Sequence, residues 1–375
     1  MQILGALAEG VLTMRVVMIG FPGVEYTIEL SEALAELENV VLMLPEPHAL
    51  RFQDVIKKNL NVYPFYYPRM RYPSNLIMVY KVIKKINEFK PDIIHIQRGH
   101  PWLNFALPLL KTYCLVTTIH DIVLIDWDSQ KIPRFMYKPP IKRASQLIVH
   151  GHKLKDDMVR VHKRLPDDVH VMRRGVNSVY TRYNEQEIQD DGRTVLYFGR
   201  IWGYKGISYL IEAEPLISKK VPDVKIVIAG VGENFDKYRA MIVNHDRFDI
   251  HNKFIPHKMV AKLFQEASFV VLPYVDGSQS GVIPMAYAFK KPVITTDVGS
   301  LPENVDDGIT GYIVPPKDSE KLAEAIIDLL LNAEKRKEMG MNAYKKTQEE
   351  LAWKNIATKT IEIYKKALTV HKHIK

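Results

Sequence analysis

Arg200 and Lys205 fall in the run VLYFGRIWGYKG, residues 195–206. The apolar stretch reads as a strand, the glycines as a turn, and the residues after Gly206 as a helix start. Such a turn holds anions, because unpaired backbone N–H groups and the helix dipole converge on it. Two permanent cations there suit a pyrophosphate better than a neutral ligand. Taken alone, the segment is equally an ordinary strand–helix loop with a surface arginine and lysine. A second block, VLPYVDGSQSGVIPMAYAFKKPVITTDVGSLPENV at residues 271–305, tips that balance. Here an apolar strand runs into a polar, glycine-bearing loop, and a helix is expected near Ser280 and Gly281. Ser280 can cap it, Gly281 lets a ligand approach the backbone, and Pro284 is tolerated in a first turn. Together the two loops could grip a diphosphate from two sides.

Holding such loops in place takes a scaffold, and the chain alternates short apolar runs with helical patterns from end to end. Strands are predicted at residues 15–20, 40–44, 93–97, 115–119 and 147–150, and again at 194–198, 224–229, 269–272, 292–295 and 311–314. Amphipathic stretches such as 24–38 and 75–89 lie between them. This alternation predicts an α/β protein of two Rossmann-like, doubly wound domains facing a cleft. Residues 1–176 form the first domain and residues 177–351 the second. A last helix, within 352–375, is free to cross back onto the first. A chain of 375 residues is long enough for two cores.

In this sequence the order FGRIWGYKG, IVIAGVGE, SGVIPMAYAFKKPVITTDVGSLPE, DDGITGYIV resembles the family 4 glycosyltransferases. PDIIHIQ, TTIHD, VMRRGVN and a late Trp353 extend the resemblance over the chain from Met14 onward. It implies the GT-B fold and a retaining enzyme that uses a nucleotide sugar without a metal ion or cofactor. The acceptor expected from it is a glycan or a lipid-linked sugar. Carried over by position, the resemblance assigns Arg200 and Lys205 to the donor pyrophosphate, with the backbone of Ser280, Gly281 and Val282. It places His120 on the sugar-side floor of the cleft in a positioning role, and Gly23 in a first-domain loop near donor and acceptor. The nucleobase falls near residues 255–258. One departure stands out. The family's paired glutamates fall here on Gly277 and Met285, neither of which has a side chain that accepts a hydroxyl's hydrogen bond. Asp276, Ser278, Gln279 and Ser280 are the polar residues left to contact the donor.

Other classes are weaker. Gly230-Val231-Gly232 lacks the third glycine of a dinucleotide fingerprint, which disfavours hydride transfer. A GT-B-like subunit that binds sugar without catalysis remains an alternative, as does an epimerase or phosphorylase on the same fold. His150 and His152 lack a third metal ligand at motif spacing and read as structural. Arg98 follows the 93–97 strand where an acceptor would approach. Glu303 reads as fixing a turn.

Net charge is +9 and concentrated in the first half: residues 1–176 hold 24 Lys/Arg against 17 Asp/Glu. Residues 51–90 alone carry nine basic and two acidic side chains among tyrosines, a pattern that suits an anionic membrane surface. Zinc-finger, RNP-like and basic-zipper patterns are missing, which argues against nucleic acid. The single cysteine, Cys114, excludes an internal disulfide framework and fits a reducing interior. No run reaches the roughly 18 apolar residues of a membrane span, and residues 1–13 lack the basic start of a secretory signal. The expectation is a cytoplasmic protein, at the inner membrane face if the basic segment docks there.

Overall fold

The computed structural model describes residues 13–21, 23–97, 99–120, 138–184, 186, 188–277 and 279–374. Two parallel sheets organise it. The first contains β1 (Arg15–Gly20), β2 (Asn39–Pro45), β3 (Asn61–Phe65), β4 (Ile93–Gln97), β5 (Cys114–Ile119), β6 (Gln146–Val149) and β7 (Val169–Val171). Its spatial order is β3-β2-β1-β4-β5-β6-β7. Helices α1 (Val24–Leu34), α2 (Glu46–Phe52), α3 (Asn75–Phe89), α4 (Pro101–Ala106), α5 (Lys138–Arg143) and α6 (His152–His162) connect the strands. The second sheet contains β8 (Thr194–Phe198), β9 (Lys225–Gly230), β10 (Phe248–Asn252), β11 (Phe269–Leu272), β12 (Val293–Thr296) and β13 (Gly311–Val314), in the order β10-β9-β8-β11-β12-β13. Around it lie α7 (Ile207–Lys220), α8 (Asp236–Arg239), α9 (His257–Glu266), α10 (Val282–Ala288), α11 (Ser319–Leu331) and α12 (Ala333–Gln348). The final helix, α13 (Trp353–Ile374), packs against α1, β5 and β6 of the first domain.

Continuous β-branched runs explain the parallel sheets. Strands such as Phe269–Leu272 and Val293–Thr296 are buried along their whole length, as strands covered by helices on both faces must be. In each domain the strand order reverses beside the first strand, between β1 and β4 and between β8 and β11. Ligands of open α/β sheets bind at the carboxyl ends beside such a reversal. The loops carrying Gly23, Arg200, Lys205 and Gln279 all leave from those ends.

Helix α1 stops at Leu34 rather than running to 38. Residues 35–38 turn so that the Glu38 carboxylate accepts the Met14 N–H at 2.6 Å, tying off the start of β1. The chain crosses between domains twice, and the crossings touch. Val176 N–H donates to Leu351 O at 3.1 Å, and Trp353 Nε1 to Val176 O at 2.8 Å. Near the first crossing, Arg182 forks onto the Glu32 carboxylate at 2.8 and 2.6 Å. Ser178 N–H donates to the buried Glu29, which locks the linker to α1. Burial pushes the Glu29 carboxyl up to about 8.

Candidate active site

The β8–α7 loop is built to stay rigid. Tyr197 Oη donates to Arg200 O at 2.6 Å, and Ile201 N–H to Val231 O at 3.0 Å, which zips the loop to the one after β9. Gly206 has φ +68°, and a Cβ there would come within 1.8 Å of Pro273 O. Only glycine lets the start of α7 sit that close to the end of β11. Two further bonds join the loops: Val275 N–H and Asp276 N–H both donate to Tyr204 O, at 2.9 and 3.3 Å.

The structure gives the two cations different settings. Arg200 is exposed, whereas Lys205 is only 8 % exposed. The Lys205 ammonium lies 3.5 Å from the Tyr274 ring centroid and 5.0 Å from that of Tyr204, so aromatic faces stand where water would be. Tyr274 Oη in turn lies 3.1 Å from Ser280 Oγ, and Ser280 Oγ accepts the Val282 N–H that opens α10. Burial pushes the Tyr274 hydroxyl up to about 12, against the opposing pull of Ser280 and the Arg200 charge. Lys205, Tyr274, Ser280 and the start of α10 therefore form one cluster. Asp276 is exposed, its carboxylate accepting the Gly277 N–H at 2.7 Å. Met285 is buried in the hydrophobic core.

Across the cleft, Gly23 caps α1 with φ +96°, and its Cα faces open space. His120 follows β5; its Nε2 lies 3.1 Å from Gln97 Oε1, and its ring packs 5.5 Å from Tyr26 and 4.8 Å from His150. Gln279 bridges the domains: its Nε2 donates to His120 O at 3.4 Å, and its Oε1 accepts from Arg174 Nη1 at 3.3 Å. Arg174 lies over the Tyr26 ring, and its guanidinium sits 3.2 Å from where a Gly281 Cβ would be. The segment VMRRGVN marked a turn in the sequence, but nothing in its pattern showed that Arg174 would reach the opposite loop. Arg98 and Ser278 lie outside the described residues.

His150 Nδ1 lies 3.0 Å from Met172 O, and burial together with the Arg174 charge pushes the ring down to about 3. It serves packing here, and among the described residues no group of three His, Cys, Asp or Glu is placed to hold a metal ion. Glu303 accepts the His152 N–H at 3.2 Å, fixing the start of α6 from the other domain. In the segment 255–258, His257 stacks on Phe52 of α2 at 4.3 Å and meets Tyr183 Oη at 3.1 Å. A groove of about 980 Å³ follows the linker and α12, lined by Ser178, Asp190, Lys291, Arg336 and Tyr344. None of the cleft residues lines it, so volume alone does not locate the chemistry.

Comparison with known proteins gives two family matches that meet at the linker. Residues 23–179 match Glycosyltransferase Family 4, and residues 181–346 match Glycosyl transferases group 1. An uncharacterized glycosyltransferase of Methanocaldococcus jannaschii is 28% identical over 305 residues, covering 74% of this chain and 76% of its own. Among solved structures, the sucrose-phosphate synthase of Thermosynechococcus elongatus superposes with a TM-score of 0.72 at 21% identity, covering 95% of this chain and 99% of that one. Anabaena HepE in complex with UDP and glucose gives a TM-score of 0.70 at 18% identity, with 93% and 98% covered. At these identities the structural likeness speaks for the fold, which is GT-B.

Proposed function

We propose that this chain, which belongs to the family 4 glycosyltransferases, retains anomeric configuration as it moves a hexose from a nucleotide sugar to a glycan or lipid-linked acceptor. The observation that carries this reading is the cluster of Lys205, Tyr274 and Ser280 beside Arg200, at the strand reversal of the second domain. Opening the anomeric C–O bond leaves charge on a phosphate oxygen, and fixed cations and N–H groups aimed there lower the barrier. Double displacement would require a carboxylate at the anomeric carbon. Gly277 and Met285 offer none, so front-face attack is favoured, with the leaving phosphate taking the acceptor's proton. Cation and backbone contacts provide the charge stabilisation in this scheme, without a metal ion or cofactor.

The donor is a nucleoside diphosphate sugar, and UDP is the first to try because the similar HepE structure holds it. Thermal-shift titration with UDP, GDP, ADP and their sugars tests the site, since a ligand selective for the folded state raises the melting temperature. No stabilisation by any of them, or a complex with the nucleotide lodged elsewhere, overturns the reading. A second reading, a sugar-binding subunit without turnover, draws on the missing carboxylates at Gly277 and Met285. Slow hydrolysis of the best-binding donor decides for the enzyme, and its complete absence for the subunit.

On the acceptor side, α3 buries Met78, Val79, Val82 and Ile86 and turns Leu76, Ile77 and Tyr80 outward, 61, 53 and 66 % exposed. Lys81 and Lys84 are exposed on the same helix, and no helix among the described residues is long and apolar enough to cross a membrane. Apolar and aromatic side chains beside lysines suit an anionic bilayer, which supports a lipid-linked acceptor at the inner membrane face. Co-sedimentation with anionic vesicles at low salt, lost in Tyr80→Ser/Ile77→Ser, is the expected result. No binding at low salt ends the membrane reading.

A further inference from the structure

His95 and Gln97 are two residues apart on β4 and so point to the same face of the sheet, the one α13 covers. Their hydrogen bonds have fixed directions. The Gln97 amide nitrogen lies 3.1 Å from His95 Nε2 and 3.7 Å from Met18 Sδ, two acceptors for its two N–H groups. Turning the amide over would aim a carbonyl oxygen at the thioether sulfur instead. Gln97 Oε1 is thereby committed to His120 Nε2, 3.1 Å away. With the Gln97 amide donating to His95 Nε2, where Thr118 Oγ1 also lies 2.8 Å away, the His95 proton is assigned to Nδ1, which faces Tyr364 Oη at 2.7 Å. Burial pushes the His95 ring down to about 3, which keeps it singly protonated.

We propose that Gln97 is a positioning residue for His120, holding it as the tautomer that carries its proton on Nε2, with Tyr364 and His95 fixing Gln97 in turn. The proposal deepens the glycosyltransferase reading above and rests on it for its kinetic consequence. The network starts on α13, the helix that returns from the second domain, and ends on the histidine in the cleft. Its chemical effect is to leave Nδ1 as the unprotonated nitrogen of a neutral ring. An imidazolium would set a second positive charge beside the one that develops at the anomeric carbon. The rings of Tyr26 and His150 pack against the His120 ring, Arg174 lies over the Tyr26 ring, and Gln279 Nε2 donates to the His120 backbone carbonyl.

The test uses the full-length protein with Gln97→Met, which keeps the volume and removes the acceptor, and Gln97→Glu, which sets a carboxylate against Nε2. Nitrogen-resolved NMR of the His120 ring reads tautomer and titration without turnover. Expected are an Nε2-protonated ring in the wild type and loss of that tautomer preference in Gln97→Met. Gln97→Glu should raise the ring's proton affinity at least tenfold. With a donor the wild type turns over, Gln97→Met should lower kcat about tenfold, the value of one hydrogen bond. UDP affinity should stay within about twofold, since the diphosphate grip is untouched, and the acid limb of the Gln97→Glu profile should move to higher pH. A wild-type ring protonated on Nδ1, or an unchanged ring in Gln97→Met, overturns the proposal even if Gln97→Glu does not fold. Should the ring respond as described while no donor is turned over, the positioning stands and the transferase reading fails.

Discussion

The two walls of the cleft handle charge in opposite ways. On the second domain, Arg200 and Lys205 supply positive charge. In the first domain, the buried rings of His95, His100 and His150 are pushed down to about 3, 4 and 3, chiefly by burial, and are neutral. A wall that meets a diphosphate requires charge that is always present. A wall that meets sugar hydroxyls requires donors and acceptors in fixed directions, and a free charge there would only compete with them. Arg174 crosses the division: it belongs to the first domain but reaches the Gln279–Gly281 loop of the second.

Breaking the cationic wall should have the largest effect. Lys205 is buried against Tyr274 and in one cluster with Ser280, so its ammonium acts where water screens little. Lys205→Met, which keeps the stem, should lower turnover roughly a hundredfold, the upper end for a charge-assisted hydrogen bond. Arg200 is exposed, and its Arg200→Ala loss should be nearer tenfold. Salt separates the two further. Raising ionic strength should weaken UDP binding in the wild type and in Lys205→Met, where exposed Arg200 still contributes. Arg200→Ala should lose most of that salt dependence. Equal salt slopes in both variants, measured by calorimetry, would mean that the two cations are screened alike despite their different exposure.

The same contrast marks how far the sequence could be read. The cationic wall was legible because its parts are local: Arg200, Lys205 and Gly206 lie in one loop, and Ser280 and Gly281 in another. Strands 15–20, 93–97, 194–198, 269–272 and 311–314 were legible to the residue because their apolar runs end sharply in glycine or polar residues. Three of the four sheet edges were not. β3, β7 and β10, sequences NVYPF, VHV and FDIHN, are short and polar enough to pass for loop. Only pairing to an inner strand makes strands of them. The neutral wall was least legible of all. His95, Gln97, His120 and Tyr364 span nearly the whole chain, and their hydrogen bonds exist only after β4, β5 and α13 have packed. Arg174 escaped notice for the same reason, since its partner Gln279 is 105 residues away.

The neutral wall can be tested through stability, with the smallest of these effects. His100 stacks on Phe21 at 5.1 Å and also meets Tyr67, so burial disfavours its charged form. In the unfolded chain a histidine takes up a proton near its ordinary value of 6.5; in the folded protein His100 does not until about 4. Below pH 6.5 the unfolded state therefore binds more protons than the folded one. The stabilisation present above 6.5 is lost as pH falls toward 4. At pH 5 this amounts to about 2 kcal/mol for one buried histidine, or a few degrees of melting temperature. His100→Phe keeps the stack and removes the titration, so its melting temperature should fall less than that of the wild type between pH 7 and pH 5. Glu29, raised from 4.5 to about 8, runs the other way: its stabilisation is full below 4.5 and is lost as pH rises from there to 8. The difference between variant and wild type is therefore the quantity to measure, because Glu29 is common to both and cancels. Parallel curves would mean that His100 takes up its proton at the same pH in the folded as in the unfolded protein, so that burial does not hold this ring neutral.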